Sequence, residues 1–327
     1  MKPRVIYMGT PDFAVPALGA LASSGICDVA LVVTQPDRRA GRGKNMVSPA
    51  VKVAADARGL PVLQTATLRH PEIRQRIVDL APDLVVVAAF GMILGRWILE
   101  LPPRGCVNLH ASLLPKYRGA NPIASAIAMG EAETGVSLMK MDRGLDTGPV
   151  YATVSLPILA DDTTASLTSR LSSAAGDLLI DHLPDLLSGA IEAQDQGAGA
   201  SLTRMMTKDD GWLDFARPAV ELERQIRAMW PWPRAWTTDS KGERIQIHAA
   251  TVGEMVDAAP GTVVHREGRV LVATGSGSIE LRRVQLPGGR PLESTALVHH
   301  PALADDAILG TIDAPAARPP LVTEEAS

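Results

Sequence analysis

Asn108, His110 and Asp146 are the residues of this chain whose types and spacing could do chemistry. The first two interrupt the apolar run Cys106-Val107-Asn108-Leu109-His110, which leads into the loop Ala111-Ser112-Leu113-Leu114-Pro115-Lys116-Tyr117-Arg118-Gly119. Strand side chains alternate faces, so Asn108 and His110 project together while Val107 and Leu109 take the other side. The end of a strand in an open parallel sheet is also where ligands sit. A lone strand histidine is more often a core residue satisfied by a neighbouring amide. Here a second polar cluster, Gly144-Leu145-Asp146-Thr147-Gly148, tips the balance, because its glycines permit a tight loop able to bring Asp146 against His110. An amide, an imidazole and a carboxylate without a paired nucleophilic Ser or Cys suit acid/base and oxyanion work on a carbonyl.

The elements that must hold these groups are legible in outline. Arg4–Met8, Val29–Val33, Val62–Gln64, Asp83–Ala89 and the Asn108–His110 segment are short apolar runs of the buried parallel type. Helical stretches separate them over roughly Phe13–Ser24, Pro49–Arg58, His70–Ala81 and Asn121–Met129. Gly135–Met141 and Val150–Leu156 read as further strands, and Thr163 to about Leu187 as a long closing helix. This alternation predicts an α/β fold, a doubly wound, mostly parallel, Rossmann-like sheet. The turn after the first strand, Gly9-Thr10-Pro11-Asp12, lacks the G-x-G-x-x-G fingerprint, which argues against a dinucleotide site. Glu192–Ser201 is small, polar and glycine-containing, and residues 190–207 read as a linker after a first unit of residues 1–189. An amphipathic helix over Val220–Trp230 follows, then strands near Ile245–Ala250, Gly261–Val264, Val270–Ala273 and Ile279–Val284. Residues 208–313 are therefore expected to form a small OB-like β-barrel, and 314–327 a disordered tail.

Asn108-Leu109-His110-Ala111-Ser112-Leu113-Leu114-Pro115, followed by Gly144-Leu145-Asp146-Thr147-Gly148 and preceded by Gly9-Thr10-Pro11-Asp12-Phe13-Ala14, resembles the folate-dependent formyltransferases. The resemblance extends from residue 1 to about residue 290 and is closest to the members acting on methionyl initiator tRNA. It implies a transferase that moves the formyl group of 10-formyltetrahydrofolate onto the amino group of that tRNA. Asn108, His110 and Asp146 would be catalytic and no metal would be needed. The folate would lie against Phe90, Gly91, Met92 and Ile93 and against Ser112, Leu113, Leu114 and Pro115. Arg38, Arg42 and Lys44, in the basic glycine-spaced loop Gln35–Asn45, would grip the acceptor arm of the tRNA. One departure is visible: the family's amide after Ala-Pro-Ile is Ala124 here, while an amide stands at Asn121.

Composition narrows the alternatives. A net charge of −4 excludes a globally basic nucleic-acid protein but not a local basic patch. The two cysteines, Cys27 and Cys106, lack metal-ligand spacing and read as reduced thiols of a cytoplasmic protein. Met1–Arg4 leads into too few apolar residues for a secretory core, and no run is long enough to span a bilayer. No membrane partner is expected, and a monomer is. A relative formylating a small amine, such as a nucleotide sugar or glycinamide ribonucleotide, is the alternative; it would keep the trio but lack the basic loop or the terminal β unit. The loop supplies the first test. If Arg42 contacts tRNA phosphate, Arg42→Ala weakens tRNA binding, leaves folate binding intact and flattens the log–log salt slope by about one unit. Equal affinity and slope in both proteins would remove Arg42 from the site.

Overall fold

In the first half of the chain, apolar side chains that alternate between two faces build a sheet buried on both sides. The computed structural model describes residues 1–40, 45–310, 314–316 and 319–324. The chain runs through β1 (Arg4–Gly9), α1 (Val15–Ser23), β2 (Asp28–Thr34), β3 (Arg38–Ala40), β4 (Asn45–Val47), α2 (Ala50–Asp56), β5 (Val62–Gln64) and α3 (Pro71–Asp79). It continues with β6 (Leu84–Ala88), α4 (Arg96–Leu99), β7 (Cys106–His110), β8 (Arg118–Gly119), α5 (Pro122–Met129), β9 (Glu133–Lys140), β10 (Val150–Pro157) and α6 (Thr164–Ser188). Among the described residues the main sheet has the order β10-β9-β7-β6-β1-β2-β5. β7, β6, β1, β2 and β5 are parallel, and β9 and β10 join antiparallel at one edge. The doubly wound, mostly parallel sheet is thus the observed fold.

Register explains the two layers. Val5, Tyr7, Val32, Val86, Val107 and Leu109 face the cluster that contains the buried residues of α1 and α6. Ile6, Met8, Leu31, Val33, Val85 and Val87 face a second cluster with Ile77 of α3 and Ile98 of α4. Cys106 belongs to this second face, so the alternation of β7 turns Asn108 and His110 toward it as well. α6 starts with a capping box, in which Thr163 and Ser166 satisfy each other's backbone N–H groups. The strand order reverses between β1 and β6, and there Thr10 Oγ1 donates to the Phe90 carbonyl at 3.1 Å. Both cysteines are buried and free; burial pushes the Cys27 thiol up to about 11 and the Cys106 thiol up to about 12.

The second unit begins after β11 (Ser201–Thr203) and contains α7 (Ala219–Ala228). Its strands are β12 (Ala235–Thr238), β13 (Arg244–Gly253), β14 (Val263–Arg266), β15 (Arg269–Ala273), β16 (Ser278–Gln285) and β17 (Pro291–Glu293), with α8 (Ser294–Leu297) beyond them. They form an antiparallel sheet of order β12-β13-β16-β15-β14, with β17 beside β16. β12 and β17 escape sequence reading because one follows a Trp- and Pro-rich stretch and the other has only three residues.

Three local expectations change. The stretch Gln35–Asn45, expected as a plain loop, carries β3, whose residue Arg38 pairs with Val47 of β4 in a short ribbon. Its side chains are largely exposed, so no apolar alternation betrays it. Residues 190–207, expected as a linker, are fastened to the first unit: Gln194 pairs with Val150, and β11 pairs with β8. The expected disordered tail contributes β18 (Val322–Glu324), antiparallel to β11, so these three residues depart from that expectation. Backbone pairing supplies the order there, as the Arg204 amide donates to the Leu321 carbonyl and its guanidinium to Pro319.

One buried histidine of the second unit gives a pH-dependent expectation. His248 lies 4.9 Å from the Trp230 ring, and Gln246 Oε1 accepts hydrogen bonds from both Arg234 and His248 Nε2. Burial, then the charges of Arg234 and Arg283, push its pKa down to about 4. Its folded form therefore stays neutral where the unfolded chain takes up a proton, and stability falls as pH drops from about 6.5 toward about 4. His248→Gln should shrink the loss of urea stability between pH 7 and pH 5; equal losses in both proteins would refute the assignment.

Candidate active site

Asn108 and His110 end a strand of five buried residues, and the loop Asp142–Gly148 carries Asp146 to them. Asn108 Nδ2 donates to Asp146 Oδ1 at 3.3 Å, and His110 Nδ1 stands 3.6 Å from Oδ2. The Gly119 amide completes the set, donating to Oδ2 at 2.9 Å. The trio read from the sequence is therefore one cluster, with the His110 side chain 7% exposed and that of Asp146 15% exposed. Asp142 plays the structural part: its carboxylate accepts from the Gly144 amide and the Thr147 hydroxyl, both at 2.9 Å, and so ties the loop together. Gly148 is required at the loop's end, since a Cβ there would lie 1.9 Å from the Lys140 carbonyl oxygen.

The tautomer of His110 follows from its other partner. Nε2 is 2.9 Å from the Tyr117 carbonyl oxygen, which can only accept, so Nε2 carries hydrogen. Nδ1 is then the nitrogen that faces Asp146. Tyr117 is fixed in turn: its amide donates to Ser201 Oγ at 2.8 Å and its hydroxyl to Glu131 at 2.6 Å. Burial and the contact with Glu131 push the phenol well above its ordinary range. Burial alone would raise the Glu131 carboxyl, but hydrogen bonds from Tyr117 and Lys116 outweigh it and hold the group low.

The remaining sequence candidates fall around this cluster. Phe90 is buried in the core, and its carbonyl accepts from Thr10 and from Gln35. Gly91 turns the chain at φ 75°, Met92 is half-buried, and Ile93 is 94% exposed. This segment leaves the end of β6, the parallel neighbour of β7, and so opens on the same end of the sheet as His110. The polar groups of Ser112–Pro115 are partly engaged within the protein. Ser112 Oγ donates to the Lys116 carbonyl, Ser137 Oγ donates to the Ser112 carbonyl, and the Leu114 amide donates to Ser137 Oγ. Leu113 packs where Gly135 leaves room, as a Cβ on Gly135 would come within 2.5 Å of it.

Arg38 is exposed and donates to Gln35 Oε1, whose amide nitrogen reaches the Phe90 carbonyl at 3.0 Å. The base of the basic ribbon is thereby joined to the loop after β6. Arg42 and Lys44 lie outside the described residues. Ala124 is buried in the core, and Asn121 Nδ2 donates to the Arg204 carbonyl at 3.2 Å. The amide at 121 thus serves the inter-unit segment, and the position of the missing amide is filled by apolar packing.

Sequence reasoning missed the residues that fix the trio. Ser137, which pins the Ser112–Leu114 loop, left a trace, a hydroxyl within the apolar run of β9, whereas the Gly119 amide, the Tyr117 carbonyl and Gln196, whose side-chain amide donates to the Asp146 and Gly148 carbonyls, left none. A cleft of about 510 Å³ lies beside the Asp142 loop, lined by Arg104, Lys140, Met141, Asp142, Arg143 and Tyr151 among others. A second, of about 880 Å³, lies under the tail between Trp212, Phe215, Met229 and Leu321. Neither is lined by Asn108, His110 or Asp146. Among the described residues no group of His, Cys, Asp and Glu could hold a metal ion, and no helix is long and apolar enough to cross a membrane.

The pattern of the formyl transferase family matches residues 1–183, and that of the formyl transferase C-terminal domain matches residues 205–301. The chain belongs to the formyl transferase family. It is 46% identical over 305 residues to the methionyl-tRNA formyltransferase of Myxococcus xanthus, covering 93% of this chain and 96% of that one. It is 47% identical to the methionyl-tRNA formyltransferase of Halorhodospira halophila, over 90% and 95% of the two chains. An N-formyltransferase from Helicobacter canadensis, solved with folinic acid and dTDP-3-aminofucose, shares the fold at a TM-score of 0.63 and 19% identity, over 86% of this chain and 99% of that one. HypX from Aquifex aeolicus matches at a TM-score of 0.59 and 16% identity; 92% of this formyl transferase aligns, spanning about half (49%) of HypX.

Removing either protic member of the trio should abolish most turnover. His110→Ala or Asp146→Asn is expected to lower kcat by at least about 100-fold, with folate affinity changed far less. A folded His110→Ala protein with near wild-type transfer would break this assignment.

Proposed function

We propose that the protein transfers the formyl group from N10 of 10-formyltetrahydrofolate to the amino group of methionyl initiator tRNA, within the cytoplasm and as a monomer. The contact of Asn108, His110 and the Gly119 amide with one half-buried carboxylate, Asp146, carries the chemical part of the reading. The acceptor is supported by identity over nearly the full length of relatives named for that activity.

Formyl transfer asks for three things. An oxyanion must be stabilised, the attacking amine must lose a proton, and the departing nitrogen must gain one. Asn108 spends one amide hydrogen on Asp146 and has a second for the formyl oxygen. His110, with Nε2–H committed to Tyr117, can hold a further proton on Nδ1 and donate it. Asp146 Oδ2 is placed to share that proton and to receive the one released by the amine. Their 3.6 Å separation exceeds a hydrogen bond, and substrate binding is expected to close it.

The folate is assigned to the segment Phe90–Ile93 and to Ser112–Pro115. Gly91, Met92 and Ile93 offer backbone and apolar surface, while Phe90 and Ser112 brace those loops from within. Arg38, Arg42 and Lys44 are assigned to the acceptor arm, where guanidinium and ammonium groups contribute affinity through phosphate contacts. Residues 1–189 form the catalytic unit in this reading, 190–207 the connection, and 208–313 the tRNA-holding unit. In that last unit several guanidiniums are already paired, Arg227 with Glu223, Arg282 with Glu280 and Arg283 with Glu293.

The test is direct. Purified protein, 10-formyltetrahydrofolate and charged initiator tRNA should give formylmethionyl-tRNA, with free methionine and an amino-sugar nucleotide as poor acceptors. Preferential formylation of the sugar nucleotide would replace this reading with the small-amine one.

A further inference from the structure

The segment between the two family matches is built into the trio. Gln196 Nε2 donates to the Asp146 carbonyl at 2.8 Å and to the Gly148 carbonyl at 2.7 Å. Its Oε1 accepts from Arg118 Nε at 3.1 Å and from Arg118 Nη2 at 2.8 Å. A carboxamide has two donor hydrogens and two acceptor lone pairs, and all four are used. The two sides it joins are the loop that carries Asp146 and the strand β8 whose Gly119 amide binds the Asp146 carboxylate.

Asp146 needs this support. Its backbone is in the left-handed region at φ 54°, a conformation that persists in a non-glycine residue only when the surroundings over-determine it. Asn108 and Gly119 hold the carboxylate, but they do not hold the peptide behind it. Gln196 grips that peptide through its carbonyl. Five residues on, Ser201 Oγ accepts the Tyr117 amide, and the Tyr117 carbonyl is the partner of His110 Nε2. Gly119 also lies so close to β11 that a Cβ would sit 2.7 Å from the Thr203 carbonyl oxygen. Both protic groups of the trio are therefore referred to one stretch, residues 196–203.

We infer that Gln196 is a positioning residue for formyl transfer, acting through Asp146 by fixing the backbone of its loop against β8. The inference rests on the assignment of Asp146 as a catalytic group. Ser201 makes the corresponding contact for His110 through Tyr117, so the inter-unit segment is part of the catalytic apparatus.

The test compares wild type, Gln196→Met, Asp146→Asn and the double variant in full-length protein, with kcat and KM measured for both substrates. Gln196→Met keeps the side-chain length and removes every polar contact. It should lower kcat by about 10- to 100-fold, as a displaced catalytic group does, while KM for folate and for tRNA stays close to wild type. In the Asp146→Asn background the same change should have little further effect, because the residue it positions is already disabled. Gln196→Asn, one methylene shorter, should fall between Met and wild type. A wild-type kcat in Gln196→Met overturns the inference, and so does a full, multiplicative loss in the double variant. A fall confined to KM or to thermal stability overturns it too. If Asp146→Asn alone keeps full activity, the trio assignment fails first and takes this inference with it.

Discussion

The Asp146 carboxylate is the point on which the rest of the site depends. A half-buried carboxylate is costly unless it accepts hydrogen bonds, and here Asn108 and the Gly119 amide donate one to each oxygen. Those two donors come from separate parts of the chain, the end of β7 and the short strand β8. The acidic loop must therefore be folded back across both. Asp142, Thr147 and Gly148 fold it, and the left-handed backbone at Asp146 turns the side chain inward. The same arrangement explains why the loop Ala111–Gly119 is so heavily pinned. It has to bring Gly119 to the carboxylate and the Tyr117 carbonyl to the imidazole at once.

The sheet was legible in the sequence because its forces are local and periodic. Val5–Gly9, Leu84–Ala88 and, apart from Asn108 and His110, Cys106–His110 are apolar runs with no exposed face, as in a parallel sheet covered on both sides. The trio was legible for the opposite reason, since polar residues stand where that pattern demands apolar ones. What could not be read was anything carried by backbone groups or by register. Gly119 contributes an amide, Tyr117 a carbonyl, and the ribbon of β3 and β4 a ladder whose side chains are largely exposed. None of these leaves a mark on residue type.

The segment after Gly189 shows how composition misleads. Small polar residues signal flexibility when nothing receives their hydrogen bonds. In this chain Gln194 pairs with Val150, Gln196 reaches three residues of the site, and Ser201 receives the Tyr117 amide. A stretch that looks like a tether is thereby held along much of its length. Its outer edge is covered by β18, so the three-stranded sheet β18-β11-β8 runs from the tail to the strand of Gly119. The tail's composition likewise gave no warning of this, because strand addition needs only backbone groups.

This arrangement bears on how a macromolecular acceptor is handled. On the proposed reading, an amine delivered on a large substrate held partly by the second unit would have to meet groups fixed in the first. Any slack between the units would appear as misplacement of the amine, and displacement of about 1 Å is enough to cost two orders of magnitude in rate. The contacts of residues 194–204 remove slack at the place where it would matter most, since the chain that leaves the catalytic loops enters the second unit directly. Arg204 continues the fastening, with its guanidinium on Asp210, while Arg227 of α7 donates to the Asp162 carbonyl ahead of α6. α5 and α7 pack together as well, so the two units share a face and are not merely strung in series. One connected frame of contacts therefore runs from His110 through Tyr117 and Ser201 into the second unit.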